Sequence, residues 1–350
     1  MSIYIQSATQ ISAQNPLTDE WFESPLYHTE KRRLSIDPKF TDYLTPIMSR
    51  RMCNLLKRAI VTARLTLQKA CVEMPDAIIT GTGLGCIENT EKFLYSIWEN
   101  EEKFLQPSYF MQSTHNIISA AIAIDLKCHG YNTTYVHRGA SFENALLDAI
   151  MQFSQHKIGT ALVGGYDELT PDYYIFFDRI GIWDFSKRDT SLPKTICFAG
   201  EAAVSMLLRS EKNEQTLCEL NGVEIMYRPT TEQLRKSLEN LLNQAGCTLS
   251  EIDAVAVGTN SNPANDMIYE DIVPQLFGNL PVMQYKHLFG QSFISPALGT
   301  YAAAICLHKQ LIPSHLLTRD ENISPVKRIL LYNHYRNKSH TFALLTRCYD

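Results

Sequence analysis

The feature that most constrains this chain is a pattern that occurs twice: short apolar runs alternating with stretches of helical periodicity. In the first series, residues 77–81 (AIITG), 133–136 (TTYV) and 160–164 (TALVG) have the length and β-branched content of strands. Between and after them, 88–98, 115–126 and 142–153 repeat apolar residues at helical steps. In the second series, strands at 254–257, 282–285, 329–332 and 341–345 alternate with helices at 231–245, 265–276 and 295–310, preceded by 199–209 and 219–227 as a hairpin. Thr230 stands where a helix N-cap belongs, and Gly246 where that helix should stop. Short strands each followed by a helix imply largely parallel sheets covered on both faces. The chain is therefore expected to be α/β with a duplicated architecture, its halves spanning 1–195 and 196–350. Ahead of the first series, Met48, Met52, Leu55, Leu56, Ala59, Ile60, Ala63 and Leu67 predict one long buried helix with Pro46 near its start. Before that helix, a short strand at 3–6 leads into polar, proline-bearing loops as far as residue 44.

Composition narrows the class of function. The 350 residues carry 32 Lys plus Arg against 37 Asp plus Glu, a net charge of −5, which leaves no basic footprint for nucleic acid or an anionic membrane. No apolar run approaches the roughly 20 residues that cross a bilayer. The first ten residues, MSIYIQSATQ, lack the basic start and apolar stretch of an export signal, so a cytoplasmic location is expected. Nine cysteines are scattered with no C-x-x-C pair, which points to reduced core thiols rather than a zinc knuckle or a thioredoxin-type motif.

Two turns could carry chemistry. The loop Gly81-Thr82-Gly83-Leu84-Gly85-Cys86 has cysteine where a dinucleotide fingerprint needs its third glycine, and it has no Walker lysine; it reads as a tight turn. The second is the strand–turn–helix through Gly139-Ala140-Ser141-Phe142-Glu143. A nucleophile elbow requires G-x-S-x-G, but Glu143 takes the place of the second glycine, so Ser141 reads as a helix cap.

At this second turn a family resemblance emerges. The run from Gln112 to Asp148, followed by ALVGGYDE at 161–168, resembles the thiolase-like β-ketoacyl-ACP synthases. Further matches, in the same order, are Arg50-Arg51-Met52 in the long helix, the ITGTGLG turn, Gly200-Glu201-Ala202-Ala203, Ala256 with Gly258-Thr259, and Lys286 with Gly290. The resemblance implies a thiolase-like duplicated αβαβα layered fold with two pseudo-equivalent halves. It also implies a catalytic cysteine, two histidines and a lysine. Counted from Ala145 and Asp148, the cysteine position is Gly139; the histidine positions are Val257 and Gln291; only Lys286 keeps its identity. Glycine cannot be a nucleophile, valine cannot donate a hydrogen bond, and a carboxamide cannot shuttle a proton. The family's glycine-rich C-terminal loop is replaced by Asn333-His334-Tyr335-Arg336-Asn337.

The pattern resembles the chain length factor, the non-catalytic partner in type II polyketide synthase heterodimers. QSTHN at 112–116 and HRGASFENALLDA at 137–149 are similar to the versions associated with aryl polyene and flexirubin-type pigments. The resemblance implies no cofactor of the chain's own, a ketosynthase partner, and indirectly the acyl-phosphopantetheine of a carrier protein. It places strand 133–136 at the dimer two-fold, with Tyr135, His137, Arg138, Ser141, Phe142 and His115 as pocket or interface candidates. Arg138 either points into the partner's tunnel or pairs with Glu143 or Asp148. His115 in its apolar helix reads as a core histidine, and His287 stands one residue from Lys286 at a strand end. Two alternatives remain: an acyltransferase with another nucleophile, such as Ser141, Cys86 or Cys197, and an acyl-binding homodimer.

Overall fold

The computed structural model describes residues 2–50, 52–183, 197–319 and 321–349. Its first set of elements comprises β1 (Tyr4–Ile11), β2 (Arg32–Arg33), α1 (Pro46–Ser49), α2 (Asn54–Lys69), β3 (Ala77–Gly81), α3 (Ile87–Glu99), α4 (Pro107–Ser113) and α5 (Ile117–Leu126). β4 (Tyr131–Tyr135), α6 (Ser141–Ser154), β5 (Thr160–Asp167), α7 (Pro171–Arg179), β6 (Ala199–Gly200) and β7 (Ala202–Arg209) follow. The second set is β8 (Cys218–Tyr227), α8 (Thr231–Gln244), β9 (Ala254–Val257), α9 (Pro263–Phe277), β10 (Val282–Gln284), α10 (Lys286–Phe289), α11 (Ser295–Lys309), β11 (Arg328–Tyr335) and β12 (Ser339–Thr346).

Strand order shows the duplication directly. Ten strands run β10-β9-β11-β12-β8-β1-β7-β5-β3-β4, and β2 pairs separately with β6. Each half has five strands; numbered along the chain within its half, each reads third, second, fourth, fifth, first from the outer edge inward. The orientations also repeat: β4 and β5 flank β3 in parallel, β7 is antiparallel to β5 and β1, and β10, β9, β11, β12 and β8 do the same. The halves meet where β1 pairs antiparallel with β8. The sheets are thus mixed rather than largely parallel. β7 and β8 are not a hairpin, because β1 lies between them. The expected division at 195/196 falls outside the described residues; by strand order the repeat turns over between Arg209 and Cys218.

The layers follow from which faces are apolar. α6 and α11 lie in a central core with Phe142, Leu146, Phe153, Leu298 and Tyr301, between the inner faces of the two half-sheets. α11 is buried continuously from Ser295 to Leu307, and its Ala302-Ala303-Ala304 run lets the sheets approach closely. α2 and α5 cover the outer face of the first half, and α8 and α9 cover that of the second. Thr230 caps α8 in a capping box with Gln233, and Gly246 follows at φ +65°. Among the described residues, no helix is long and apolar enough to cross a membrane.

Several local expectations are corrected. β1 extends to Ile11 because its polar side chains are satisfied from elsewhere: Ser7 Oγ donates to the Thr66 carbonyl at 2.7 Å and Gln6 Oε1 accepts from Thr216 at 2.9 Å. The long helix is broken between Ser49 and Asn54, so Arg50 and Met52 lie outside it, and Arg51 lies outside the described residues. His115 precedes α5 and is exposed, not a core histidine. α7 occupies a stretch that reads as merely polar in sequence, capped by the Thr170 side chain with Pro171 in the first turn.

Candidate functional site

Gly139, which the resemblance aligns with the family's nucleophile, lies in the turn between β4 and α6. Arg138 adopts φ +51°, a left-handed conformation uncommon for a non-glycine residue and often found at functional turns. Ser141 is the first residue of α6, not its cap. Its Oγ donates towards the Thr82 carbonyl at 2.8 Å and the Arg138 carbonyl at 2.7 Å, and accepts from the His137 N–H at 2.9 Å. Fully buried and committed to these bonds, it staples the turn and is not a nucleophile.

Gly139 has no room for the missing side chain. A Cβ built there would stand 2.7 Å from the Cβ, Cγ and Cδ2 of Tyr335. Tyr335 ends β11 before a tight turn in which Arg336 and Asn337 have φ +55° and +50°, and the Lys338 N–H donates back to Tyr335 at 3.0 Å. Its ring packs edge-on against Phe293 at a centroid distance of 5.7 Å. Phe293 in turn lies against Gly83, where a Cβ would approach it to 2.3 Å. Tyr335 of this hairpin, backed by Phe293, therefore fills the space beside Gly139.

The histidine positions fare differently. Val257 is 1% exposed and packs into the outer core beside α8 and α9, away from the cavity described below. Gln291 faces that cavity; its Oε1 accepts from Lys286 Nζ at 2.7 Å and from Asn260 Nδ2 at 3.1 Å. Lys286, 4% exposed, also donates to the Gly258 carbonyl at 2.8 Å. Burial pulls its ammonium down to about 8, opposed by Cys197, Asp266 and Glu143. Lys286 and His287 lie in α10 rather than at a strand end. His287 bonds the His315 carbonyl at 2.9 Å and does not line the cavity, so it does not replace the lost histidine. His334 does line it, but both ring nitrogens are engaged, with Asn265 O at 3.0 Å and Asn337 N at 3.3 Å; burial pushes its pKa down to about 3. It is a neutral structural histidine.

A cavity of about 700 Å³ opens in front of these groups. Its walls are the aromatic face of α7 (Tyr173, Phe176, Phe177) with Trp183, a polar side of Asn260, Asn262 and Asn265, and Arg138 opposite. At its rim, Asp167 Oδ1 accepts from Thr82 Oγ1 and from the Gly83 and Leu84 N–H groups at 2.9–3.0 Å, holding the glycine loop; burial raises this carboxyl to about 6. Such a cavity can hold an extended apolar group; among the described residues, Ser292 and Cys197 are the hydroxyl and thiol side chains of serine and cysteine on its lining. Cys197 borders it but is 1% exposed, and burial pushes its thiol up to about 12; Cys86 is fully buried elsewhere.

Of the other sequence candidates, Arg138 reaches the cavity and pairs with neither expected carboxylate. Glu143 accepts from Thr341 at 2.8 Å and Asp148 from Tyr131 at 3.0 Å, and no ion pair joins Arg138 to either among the described residues. Tyr135 stacks on His137 at the sheet edge, with centroids 6.2 Å apart. Phe142 is a core residue at 0% exposure, not a pocket residue. Sequence reasoning missed the wall residues Tyr173, Phe176 and Phe177; the aromatic spacing of Thr-Pro-Asp-Tyr-Tyr-Ile-Phe-Phe behind a cap was the available signal.

Glu143 gives a pH test of this buried centre. Burial raises its carboxyl from 4.5 to about 7, against its own N–H, Thr341 and Lys286, and Oε2 has no partner. The folded state thus holds the proton more tightly, and the resulting stability is present below pH 4.5 and lost as pH rises through about 7. Glu143→Gln is expected to be more favourable relative to wild type at pH 8 than at pH 5, by about 2–3 kcal/mol. Urea unfolding at the two pH values measures it; an equal difference at both would contradict the assignment.

Comparison with known proteins adds the following. The beta-ketoacyl synthase N-terminal domain matches residues 20–257. By structure, the chain is similar to the ishigamide ketosynthase/chain length factor, with TM-score 0.82, 16% identity and 99% of each chain covered. It is also similar to a beta-ketoacyl synthase from Burkholderia phymatum STM815, with TM-score 0.81, 15% identity, and 99% of this chain and 100% of that one covered. A third likeness is to the ketosynthase ApeO in complex with its chain length factor ApeC from Xenorhabdus doucetiae, with TM-score 0.81, 16% identity, and 99% and 98% covered. No curated protein matches by sequence at a significant level.

Proposed function

Because the chain belongs to the beta-ketoacyl synthase family, we propose that it is a subunit without condensing activity, a chain length factor that pairs with an active ketosynthase. The carrying observation is Gly139 with Tyr335 packed where a nucleophile's side chain would stand. Val257 in the outer core and Gln291 in place of a proton carrier support it independently. Losing one member of a catalytic unit costs about 10⁴–10⁶ in rate, and losing all leaves only binding effects. The partner supplies the cysteine and receives the growing chain from the phosphopantetheine arm of a carrier protein; this chain supplies shape, and the pair works in the cytoplasm.

β4 is the surface suited to that role. Among the described residues it pairs only with β3, leaving its other backbone edge open; Tyr131 on it and Val136 just after it are 39% and 42% exposed. An uncovered edge strand invites a further strand. A partner of the same fold would add its own β4 there, bringing His137 and Arg138 next to the partner's acyl channel, where they would limit chain length. The solved relatives described as ketosynthase and chain length factor together support this arrangement. Co-expression with its ketosynthase, of the kind that makes aryl polyene or related polyketide chains, is expected to yield a stable one-to-one complex on gel filtration with light scattering. A chain that remains a well-behaved homodimer beside the ketosynthase would overturn the reading.

A further inference from the structure

The cavity beside α7 keeps two features that a silent scaffold does not need: an aromatic wall and unpaired positive charge. Tyr173 packs on Phe177 with ring centroids 4.1 Å apart, and Phe177 on Trp183 at 5.6 Å. These rings belong to a small cluster separate from the central core, and all three line the cavity. Arg138 and Arg336 line it as well. Their turns adjoin because Gly139 packs on Tyr335, and both arginines are exposed. Among the described residues, neither guanidinium has an ion-pair or hydrogen-bond partner. The neighbouring carboxamides are engaged within the protein: Asn260, Asn262 and Asn265 donate to Gln291, Ile182 and Gly258 at 3.1–3.3 Å. The carboxylates on the lining are also committed, Asp167 to the glycine loop and Glu168 to the Glu88 N–H at 2.9 Å. Trp183 is 7% exposed, and its indole N–H has no partner, which is uncommon for a buried donor.

We propose that this cavity reversibly binds a small free carboxylic acid with a planar, aromatic or conjugated body, the carboxylate recognised by Arg138 and Arg336 and the body by Tyr173, Phe177 and Trp183. The planar guanidinium fork matches a carboxylate in two parallel hydrogen bonds, and two such groups without counter-ions at one cavity favour an anion between protein and solvent. A thioester carries no charge at its carbonyl, so these arginines select the free acid. The aromatic wall offers ring faces and edges to a flat body, which gains from stacking beyond the area it buries. The volume of about 700 Å³ lies within the roughly 300–1,000 Å³ of small-molecule sites. Arg336 belongs to the segment that replaces the family's glycine-rich loop, so this recognition is a property of the chain's own hairpin. The site goes beyond the pairing with a ketosynthase and does not depend on it. Arg138 has a part in both, whereas Arg336 has none in the pairing, and its substitution tells the two apart.

The test titrates the full chain with 2-naphthoate by calorimetry, in parallel with its neutral methyl ester and with octanoate. The expected result is one naphthoate per chain, with the ester and octanoate each bound at least about 10-fold more weakly. Arg138→Gln and Arg336→Gln should each weaken naphthoate by at least about 5-fold, the loss expected for hydrogen bonds to a charged group. Arg235→Gln, on the exposed side of α8, should bind as the unaltered chain does. No binding at about 1 mM naphthoate, an ester bound as tightly, or an affinity unchanged in either cavity variant overturns the site. Octanoate bound as tightly as naphthoate overturns the planar body. The ester and octanoate are compared on the unaltered chain, so the outcome stands even where a variant fails to fold.

Discussion

Restoring a cysteine at residue 139 is expected to damage the protein rather than revive it. Gly139→Cys places a Cβ 2.7 Å from the Cβ of Tyr335, an atom fixed by the backbone of β11 and unable to swing aside. Overpacking of this kind costs about 1–3 kcal/mol. Shortening Tyr335 to alanine removes the ring but not its Cβ, so relief is partial. The double variant is therefore expected to be more stable than the sum of the singles by about 1 kcal/mol, a coupling within the range for residues in contact. Denaturant unfolding of the four proteins measures the cycle. Neither cysteine variant should decarboxylate malonyl thioesters, because Val257 faces the outer core and Gln291 has no transferable proton. Additive stabilities, or a Gly139→Cys protein that condenses, would contradict this account of the plugged turn.

The second large effect is expected at the sheet edge. Val136 follows β4 directly and is 42% exposed, so replacing it by aspartate should leave the isolated chain folded. If β4 is the surface covered by the ketosynthase, that carboxylate becomes buried without a counter-charge. An uncompensated buried charge costs about 3–5 kcal/mol, which corresponds to about 150- to 4,000-fold weaker association. Val136→Asn, polar but uncharged, should fall between the two. Surface plasmon resonance against the immobilised ketosynthase reads the difference. An unchanged dissociation constant in Val136→Asp would place the partner on another face.

How much of this was legible in the sequence depended on whether the relevant force was local. Strands 77–81 and 254–257 were readable to the residue because fully buried runs carry their own apolar signature. The capping box at Thr230 and Gln233 is likewise written in adjacent residues. The sequence shortens β1 because Gln6, Ser7 and Gln10 look like loop residues until the Thr216 hydroxyl and the Thr66 and Asn15 carbonyls satisfy them. The order of strands, which separates β7 from β8, is set by long-range pairing that no local pattern records. At the site, the resemblance alone assigns Gly139, Val257, Lys286 and Gln291 to the family's catalytic positions, and the expectation of no condensing chemistry rests on those residue types. That Tyr335 fills the space at Gly139 could not be read, since this contact joins segments distant in the chain.

The central claim is that this chain contributes no catalytic group to a pair whose chemistry belongs wholly to its partner. Its most direct test is to assemble the chain with its ketosynthase after replacing the partner's nucleophilic cysteine by alanine, and to follow condensation on acyl carrier protein by mass spectrometry. The unmodified pair should elongate the chain, and the pair whose only intact subunit is this one should yield no elongated product. Elongated product from that second pair would show that this chain has chemistry of its own and would contradict the account.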